Sequence, residues 1–380
     1  MNPRYPVYIP SKGRSDSTTA LTVKGLRADH VPFFIVVEPS EADAYRELVG
    51  SDGEVLVLPF ENLGRGSIPA RNWIREHAEA NGYAKHWQLD DNIFDFRRLW
   101  KGRRIPCHAG VALRVCEDLS DRHENIGVSG LNYQMFVLDD TAAPYFRNCH
   151  VYSCTLINHA MPYRWRGRMN EDTDLCLQAL VNGWTTLLIN AFMAHKMRTM
   201  ALTGGNSNEL YGMEKAEGTD TRGRYEMARQ LEELWPGLVK TGRRFGRYQH
   251  TVNWRAFDTP FSPSGNGSTA DVDEYGLRLR ALREPESPYV REVWENFDQD
   301  IREVAAFDEV WRGLPGFEAR VPPPQLRIEF TDSVERDSCV RLLGVRVSKK
   351  NRESFSAWWP PRGRQDLASL RFEYEEESRD

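Results

Sequence analysis

Early in the chain, four short apolar runs are separated by segments with helical spacing, and this pattern constrains the fold more than any other feature. The runs are Val7-Tyr8-Ile9, Phe33-Phe34-Ile35-Val36-Val37, Val55-Leu56-Val57-Leu58 and His86-Trp87-Gln88-Leu89. Helical spacing fills the first gap through Ala20, Leu21, Val23 and Leu26. Ser40 is a suitable N-cap for a helix over 41–49, and a third helix is expected over 68–81, with Pro69 tolerated in its first turn. Strand and helix alternating in this way predict a parallel sheet covered by helices on both faces. The chain has neither G-x-G-x-x-G nor G-x-x-x-x-G-K-[ST], so phosphate must be handled by something other than a dinucleotide fingerprint or a P-loop.

The fourth run ends in Asp90-Asp91-Asn92. At the carboxyl end of a buried strand, where ligands sit in open α/β sheets, two carboxylates suit a divalent cation with room left for phosphate oxygens. Asp and Asn also form ordinary turns, so the stretch alone does not decide between a site and a turn.

At 380 residues the chain has room for a large domain and a smaller one. No apolar run approaches the roughly 20 residues that span a bilayer, and Met1 to Pro6 carry no apolar signal region. A cytoplasmic protein is expected. The six cysteines (107, 116, 149, 154, 176 and 339) form no C-x-x-C pair, which argues against structural zinc and against a disulfide framework.

Further along, β-rich segments are expected at 126–129, 134–138 and 150–158. A helix opening on Glu171-Asp172-Thr173-Asp174 follows, and then a strand over 185–191 that leads to His195-Lys196. Glycine-rich sequence over 204–224 reads as a loop, and 225–234 as a helix. Linkers are expected at 261–268 and 320–324, with a charged helix at about 288–311 between them. Beyond them, a strand at 326–330, a helix at 333–343 and short strands ending at 370–374 read as a small α+β module. The expected division is 1–257 for the main domain, 258–320 for a linker and helical segment, and 321–380 for the module.

The net charge of −5 hides two basic stretches interleaved with aromatic residues. One holds Arg97, Arg98, Lys101, Arg103 and Arg104; the other holds Arg243, Arg244 and Arg247. Such stretches can track phosphates and stack bases, or can simply be solvated faces.

Acids at the end of strand four, acids opening a later helix and a histidine ending a later strand are the parts a nucleotide-sugar transferase needs. A metal neutralises the leaving diphosphate and a carboxylate takes the acceptor proton. In order, "YIPSKGR", "VEP", "NLGRGSIPARNW", "QLDDNI", "NEDTDLCLQALVNGWTTLLIN" and "AHK" resemble the GT-A glycosyltransferases. They are most similar to the phage TET-associated glycosyltransferases that act on 5-hydroxymethylpyrimidines in DNA, and the resemblance covers roughly residues 4 to 255. It implies a Rossmann-like mixed α/β sheet flanked by helices. It also implies Mn²⁺ or Mg²⁺ held by Asp91, Asp90, Asn92 and His195, although Asn92 stands where a carboxylate is common. The nucleotide sugar would be held by Pro10, Ser11, Lys12, Arg14, Glu38, Arg71, Asn72 and Asp90. Asp172, beside Glu171, corresponds to the general base of inverting members.

The expectation is therefore transfer of a sugar from a UDP-sugar, with UDP-glucose favoured, to 5-hydroxymethylcytosine in double-stranded DNA. The phage resemblance would place it in an infected bacterium, with no membrane or protein partner. Two other readings stay open at this point: a GT-A transferase on a polysaccharide or protein acceptor, and a non-catalytic nucleic-acid-binding module.

Overall fold

The four apolar runs become β1 (Val7–Pro10), β2 (Phe34–Val37), β3 (Glu54–Val57) and β4 (Lys85–Leu89), paired in parallel in the order β3-β2-β1-β4. The structure is a computed structural model. It describes residues 1–16, 18–138, 141–167, 169–197, 204–205, 222–244, 246–264, 275–281, 309–317, 319, 330–343 and 370–375. Beyond β4 the sheet becomes mixed. β9 (Cys154–Asn158) is antiparallel to both β4 and β7 (Ile126–Tyr133), and β10 (Thr185–Lys196) runs parallel to β7. The carboxyl ends of β1, β2, β4 and β10 therefore open on one edge.

Alternation along the strands divides the apolar side chains between two layers. Val7, Ile9, Ile35 and Val37 pack with α1 (Leu21–Ala28), α2 (Ala42–Val49) and α4 (Ala109–Asp121). On the opposite face Tyr8 and Val36 meet Ile74 and Ala78 of α3 (Ile68–Ala80). There too, Val128, Ile157 and Leu188 meet Leu175, Cys176 and Ala179 of α5 (Glu171–Val181). Each such side chain contributes about 1.5–3 kcal/mol when fully buried, so the two-faced sheet is the main source of stability. This is the mixed α/β architecture expected of a GT-A glycosyltransferase.

Several local expectations are corrected. Pro39–Glu41 is a 3₁₀ turn and Glu41, not Ser40, precedes α2. Gln134–Phe136 is a 3₁₀ turn rather than a strand. The basic stretch 97–104 is part of a hairpin: β5 (Ile93–Trp100), antiparallel to β10, turns through Lys101-Gly102 into β6 (Arg103–Cys107). Both turn residues have positive φ (47° and 73°), as a tight two-residue hairpin turn requires. Beside β10 lies the short strand β8 (Tyr145–Arg147).

α6 (Arg222–Leu234) and the hairpin of β11 (Val239–Arg244) and β12 (Arg247–Val252) dock on α5 through Leu231, Val239 and Leu177. Near the chain end, β13 (Leu277–Ala281) pairs with β14 (Leu370–Tyr374), and β14 pairs with β6, so both strands extend the large sheet. α7 (Ser333–Leu342) starts at Asp332, whose side chain accepts from the backbone of Val334 (2.7 Å) and Glu335 (2.9 Å). Of the expected elements, the linker at 261–268 from residue 265 on, the linker at 320–324, most of the helix at 288–311 and all but the last residue of the strand at 326–330 lie outside the described residues. Among the described residues no helix is long and apolar enough to cross a membrane.

Candidate active site

The strand ends converge on a cleft of about 400 Å³. Pro10 ends β1 and Ser11, Lys12 and Arg14 follow it; Glu38 follows β2; Asp90, Asp91 and Asn92 follow β4; Lys196 ends β10. Ser67 and Arg71, around the start of α3, and Glu171, Asp172 and Thr173, at the start of α5, close the other side. The paired carboxylates and the acidic helix start thus share one hollow. Asn170, in the left-handed region at φ 55°, turns the chain into α5 so that its acidic first turn faces the cleft.

Each carboxylate of the strand-four pair is held by cations. Asp90 accepts from Arg71 through Oδ1 (3.1 Å) and from Lys196 through Oδ2 (2.8 Å). Burial works against ionisation of Asp90, yet Lys196 and then Arg71 draw its pKa down to about 2. Asp91 is ion-paired with Arg14 and accepts from Ser11 Oγ (2.7 Å). Burial nevertheless pushes its pKa above the usual carboxylate range, against the pull of Arg14 and Ser11. Beside them Asn92 Oδ1 is buried without a hydrogen-bond partner.

Arg71 is the hub between the two sides. It bonds Asp90, stands 3.6 Å from Glu171, and donates to Gln88 Oε1 (3.3 Å). With Oε1 so engaged, Gln88 Nε2 donates to Arg71 O (2.9 Å) and to Nε2 of His86 (2.9 Å). His86 is completely buried and held neutral by that burial. Arg71 is thereby fixed from behind by β4 itself.

Asp172 has the electrostatics of a proton acceptor. Burial raises its pKa to about 6; Arg71 opposes the rise, and Glu171 and Asp90 add to it. Thr173 hydrogen-bonds His150 Nε2 (3.2 Å), and burial lowers the pKa of His150 to about 3, so that ring is neutral.

Near β1, Lys12 bridges Glu38 (3.1 Å) and Asn62 (3.0 Å), and the Gly13 amide donates to Glu41 (2.7 Å). Gly205 N donates to Lys12 O (2.7 Å), closing this end of the cleft.

The model of the TET-Associated Glycosyltransferase family matches residues 5–205. The chain belongs to that family. It is a glycosyltransferase, and the match takes in the cleft from Pro10 to Gly205. A likeness also exists to the crystal structure of S. aureus TarS 1–349, at 11% identity and a TM-score of 0.35. That likeness covers 61% of this chain and 66% of that one, just under two thirds of its length. No curated protein matches the chain.

Of the residues singled out for the donor, the metal and catalysis, all but His195 and Asn72 line the glycosyltransferase cleft; none of the basic residues expected to meet DNA lines it, and Arg98 among them is buried. His195 is held at Nδ1 by Asp95 Oδ1 (2.9 Å), directly opposite it on β5, and packs on Phe94. The register of β10 against β5 shifts between His195 and Lys196, and of the two only Lys196 lines the cleft. Asn72 is turned the other way and clamps the Trp165 backbone through both ends of its amide (2.8 and 3.1 Å). Arg98 is buried, with its guanidinium over the rings of Phe372 and Phe192 and a bond to Gly316 O (2.7 Å), so it cannot touch DNA.

The other basic residues are on the surface or near it. Arg97 pairs with Asp95 (2.9 Å), and Arg104 donates to Gln134 O (3.3 Å). Arg103 is half-buried and Lys101 exposed at the hairpin turn, to which β5 runs away from the cleft. Arg243, Arg244 and Arg247 are exposed on the β11–β12 hairpin, which reaches the cleft through His250.

The sequence reading missed Lys196, Ser67, Gln88, Ser153, His150 and His250. Of these, Lys196, Ser67 and Gln88 lie in the quoted "AHK", "NLGRGSIPARNW" and "QLDDNI", whereas Ser153, His150 and His250 carried no signal.

Asp90, Asp91 and Asn92 form a set of hard oxygen donors that fits Mg²⁺ or Mn²⁺, and the orphaned Asn92 Oδ1 is a free acceptor among them. Among the described residues no three His, Cys, Asp or Glu side chains come together as a metal group.

Proposed function

We propose that this glycosyltransferase moves a sugar from a UDP-sugar, with UDP-glucose favoured, to the hydroxyl of 5-hydroxymethylcytosine in DNA, with inversion. What supports the reading is that the acidic start of α5 and the strand-four carboxylates line the same cleft. The donor's nucleotide lies along the ends of β1 and β2, against Pro10, Ser11, Lys12, Arg14 and Glu38. Arg71 and Lys196 hold its diphosphate end. Asp90, Asp91 and Asn92 would bind a divalent ion, which supplies charge neutralisation to the leaving diphosphate. His195 is not included in that set, because it does not line the cleft.

The Asp172 carboxylate accepts the proton of the hydroxymethyl group as its oxygen attacks the anomeric carbon. The bond from that carbon to the diphosphate oxygen breaks, and UDP leaves with the electron pair. Arg71, next to Glu171 and Asp90, fixes the position of the base relative to the donor. The base is presented in DNA through the 5-position, which lies in the major groove, or is flipped from the stack. Lys101, Arg103, Arg104, Arg243, Arg244 and Arg247 contact the phosphates. All of these residues fall within 1–257; we take the transferase unit to be that segment together with β13 and β14, which extend its sheet.

The test is mass spectrometry of nucleosides after hydroxymethylated DNA is incubated with a panel of nucleotide sugars, with Mn²⁺ or with chelator. A hexose adduct on hydroxymethylcytosine that depends on Asp172 and Asp91 is expected. Absence of any adduct on DNA, with transfer to a glycan or protein instead, would overturn the acceptor assignment.

A further inference from the structure

Leaving β7, the chain makes the 3₁₀ turn Gln134–Phe136 and exposes three large apolar side chains close together in sequence. Met135 is 48% exposed, Phe136 57% and Leu138 56%. The turn is well anchored. Val137, between them, is fully buried in the main core, and its amide donates to Gln134 O (3.3 Å). Tyr133, just before the turn, donates from its hydroxyl to Lys196 O (2.9 Å) at the cleft. Leu138 N donates to Thr141 Oγ1 (2.9 Å), and Arg104 donates to Gln134 O (3.3 Å). A rigid turn that displays apolar side chains exposes a surface that water disfavours and that its own core does not cover.

Its position suggests what covers it. The Phe136 ring meets Tyr133 (5.5 Å) and Tyr152 (6.3 Å) edge to face. Tyr152 in turn lies against His150 (4.7 Å), which lines the cleft beside Asp172 and stacks on Trp254 (6.1 Å). A run of aromatic rings thus connects the exposed turn to the pocket, with the Arg104 cation at its other side. Aromatic rings stack on bases, cations pair with phosphates, and Phe, Met and Leu are side chains that wedge between base steps.

We propose that Phe136, flanked by Met135 and Leu138, enters the base stack of the DNA acceptor and holds it open beside the nucleotide that occupies the cleft. This rests on the DNA acceptor proposed above. Of the two presentations named above, the wedge serves the flipped one, in which the free energy of opening the stack is offset by contacts such as these.

The test compares wild type, Phe136→Ala and Phe136→Leu on one hydroxymethylcytosine oligonucleotide, single-stranded and annealed to its complement. A 2-aminopurine beside the modified base reports unstacking. Phe136→Ala is expected to lose roughly ten-fold or more of kcat/KM on the duplex, together with the 2-aminopurine signal, since an opened step costs a few kcal/mol. Its activity on the single strand should be unchanged, which also shows that the variant folds, and Phe136→Leu should restore most of the duplex activity. Equal loss on both acceptors, or no loss on the duplex, overturns the wedge alone. Wild type active on neither form of DNA overturns the acceptor reading, and the wedge with it.

Discussion

The Lys196 ammonium lies 2.8 Å from Asp90 Oδ2 and 2.7 Å from Ser153 Oγ, across the cleft from the acidic start of α5. With Arg71 on the other oxygen, Asp90 stays ionised down to about pH 2. Because its folded pKa is depressed, the stability it contributes is present above the ordinary carboxylate value and is lost as pH falls through about 2. Lys196→Met leaves Arg71 as the remaining cation on Asp90 and is expected to cost about 1–3 kcal/mol, since one partner of a mostly buried pair is removed. The acid-unfolding midpoint should move to higher pH and donor affinity should fall, as followed by circular dichroism and titration calorimetry. An unchanged acid limb would show that Lys196 does not hold Asp90.

As the proposed base, Asp172 should set the acid limb of turnover. Its pKa is raised to about 6, chiefly by burial, so the carboxylate is the basic form only above that pH. The pH profile of kcat/KM should fall about ten-fold per unit below pH 6. Glu171 contributes to the rise, so Glu171→Gln should shift the limb to lower pH. Asp172→Asn should lower kcat by roughly 10²–10⁴. The sign of its stability effect is opposite. A carboxyl whose folded pKa is raised contributes stability below its ordinary pKa and loses it as pH rises through about 6. At pH 7 the amide variant should therefore have a higher Tm while being slower. A lower Tm would contradict the burial that defines the site.

The β11–β12 hairpin carries the exposed Arg243, Arg244 and Arg247, and its His250 faces the cleft. Replacing Arg243 and Arg244 with Glu should weaken DNA binding strongly at low salt and much less at high salt. The slope of log K against log salt should fall by about 0.9 for each phosphate contact removed. Hydrolysis of the nucleotide sugar without DNA should be unaffected. Filter binding across a salt series checks this. Unchanged binding there would move the DNA surface elsewhere.

Much of this arrangement was legible in the sequence. Strands buried on both faces read as unbroken apolar runs, and β1, β2 and β4 were visible for that reason. The acidic opening of α5 was visible because helix starts favour acids. The β5–β6 hairpin was not, since its arginines interrupt the apolar run and its buried positions Ile93, Phe96, Arg98 and Leu99 follow no strict alternation. Arg98 looked like surface charge but is buried, because its guanidinium finds aromatic faces and a carbonyl 218 residues away in sequence. The choice between His195 and Lys196 depended on the register of β10 with β5, including a bulge between them, and register is a pairing property that one strand's sequence does not carry. Residues 134–138 are apolar enough for a strand, yet their backbone closes on itself in a turn and leaves three of them exposed.

The last strand offers a test of how far the transferase extends. Phe372 of β14 is fully buried, with its ring under the Arg98 guanidinium (4.8 Å) and against Trp100 (6.2 Å). β14 pairs with β6, and β6 reaches β10 and its cleft residue Lys196 through β5. Phe372→Ala removes a core aromatic and should cost about 3–5 kcal/mol, lowering the Tm of the single transition reported by nucleotide-binding and circular dichroism alike. Arg98→Met should cost less, because an apolar side chain of similar length replaces a cation whose burial already lowers its pKa to about 10. Were β14 part of a separable module, Phe372→Ala would unfold that module alone, giving two transitions and leaving sugar transfer at the wild-type rate.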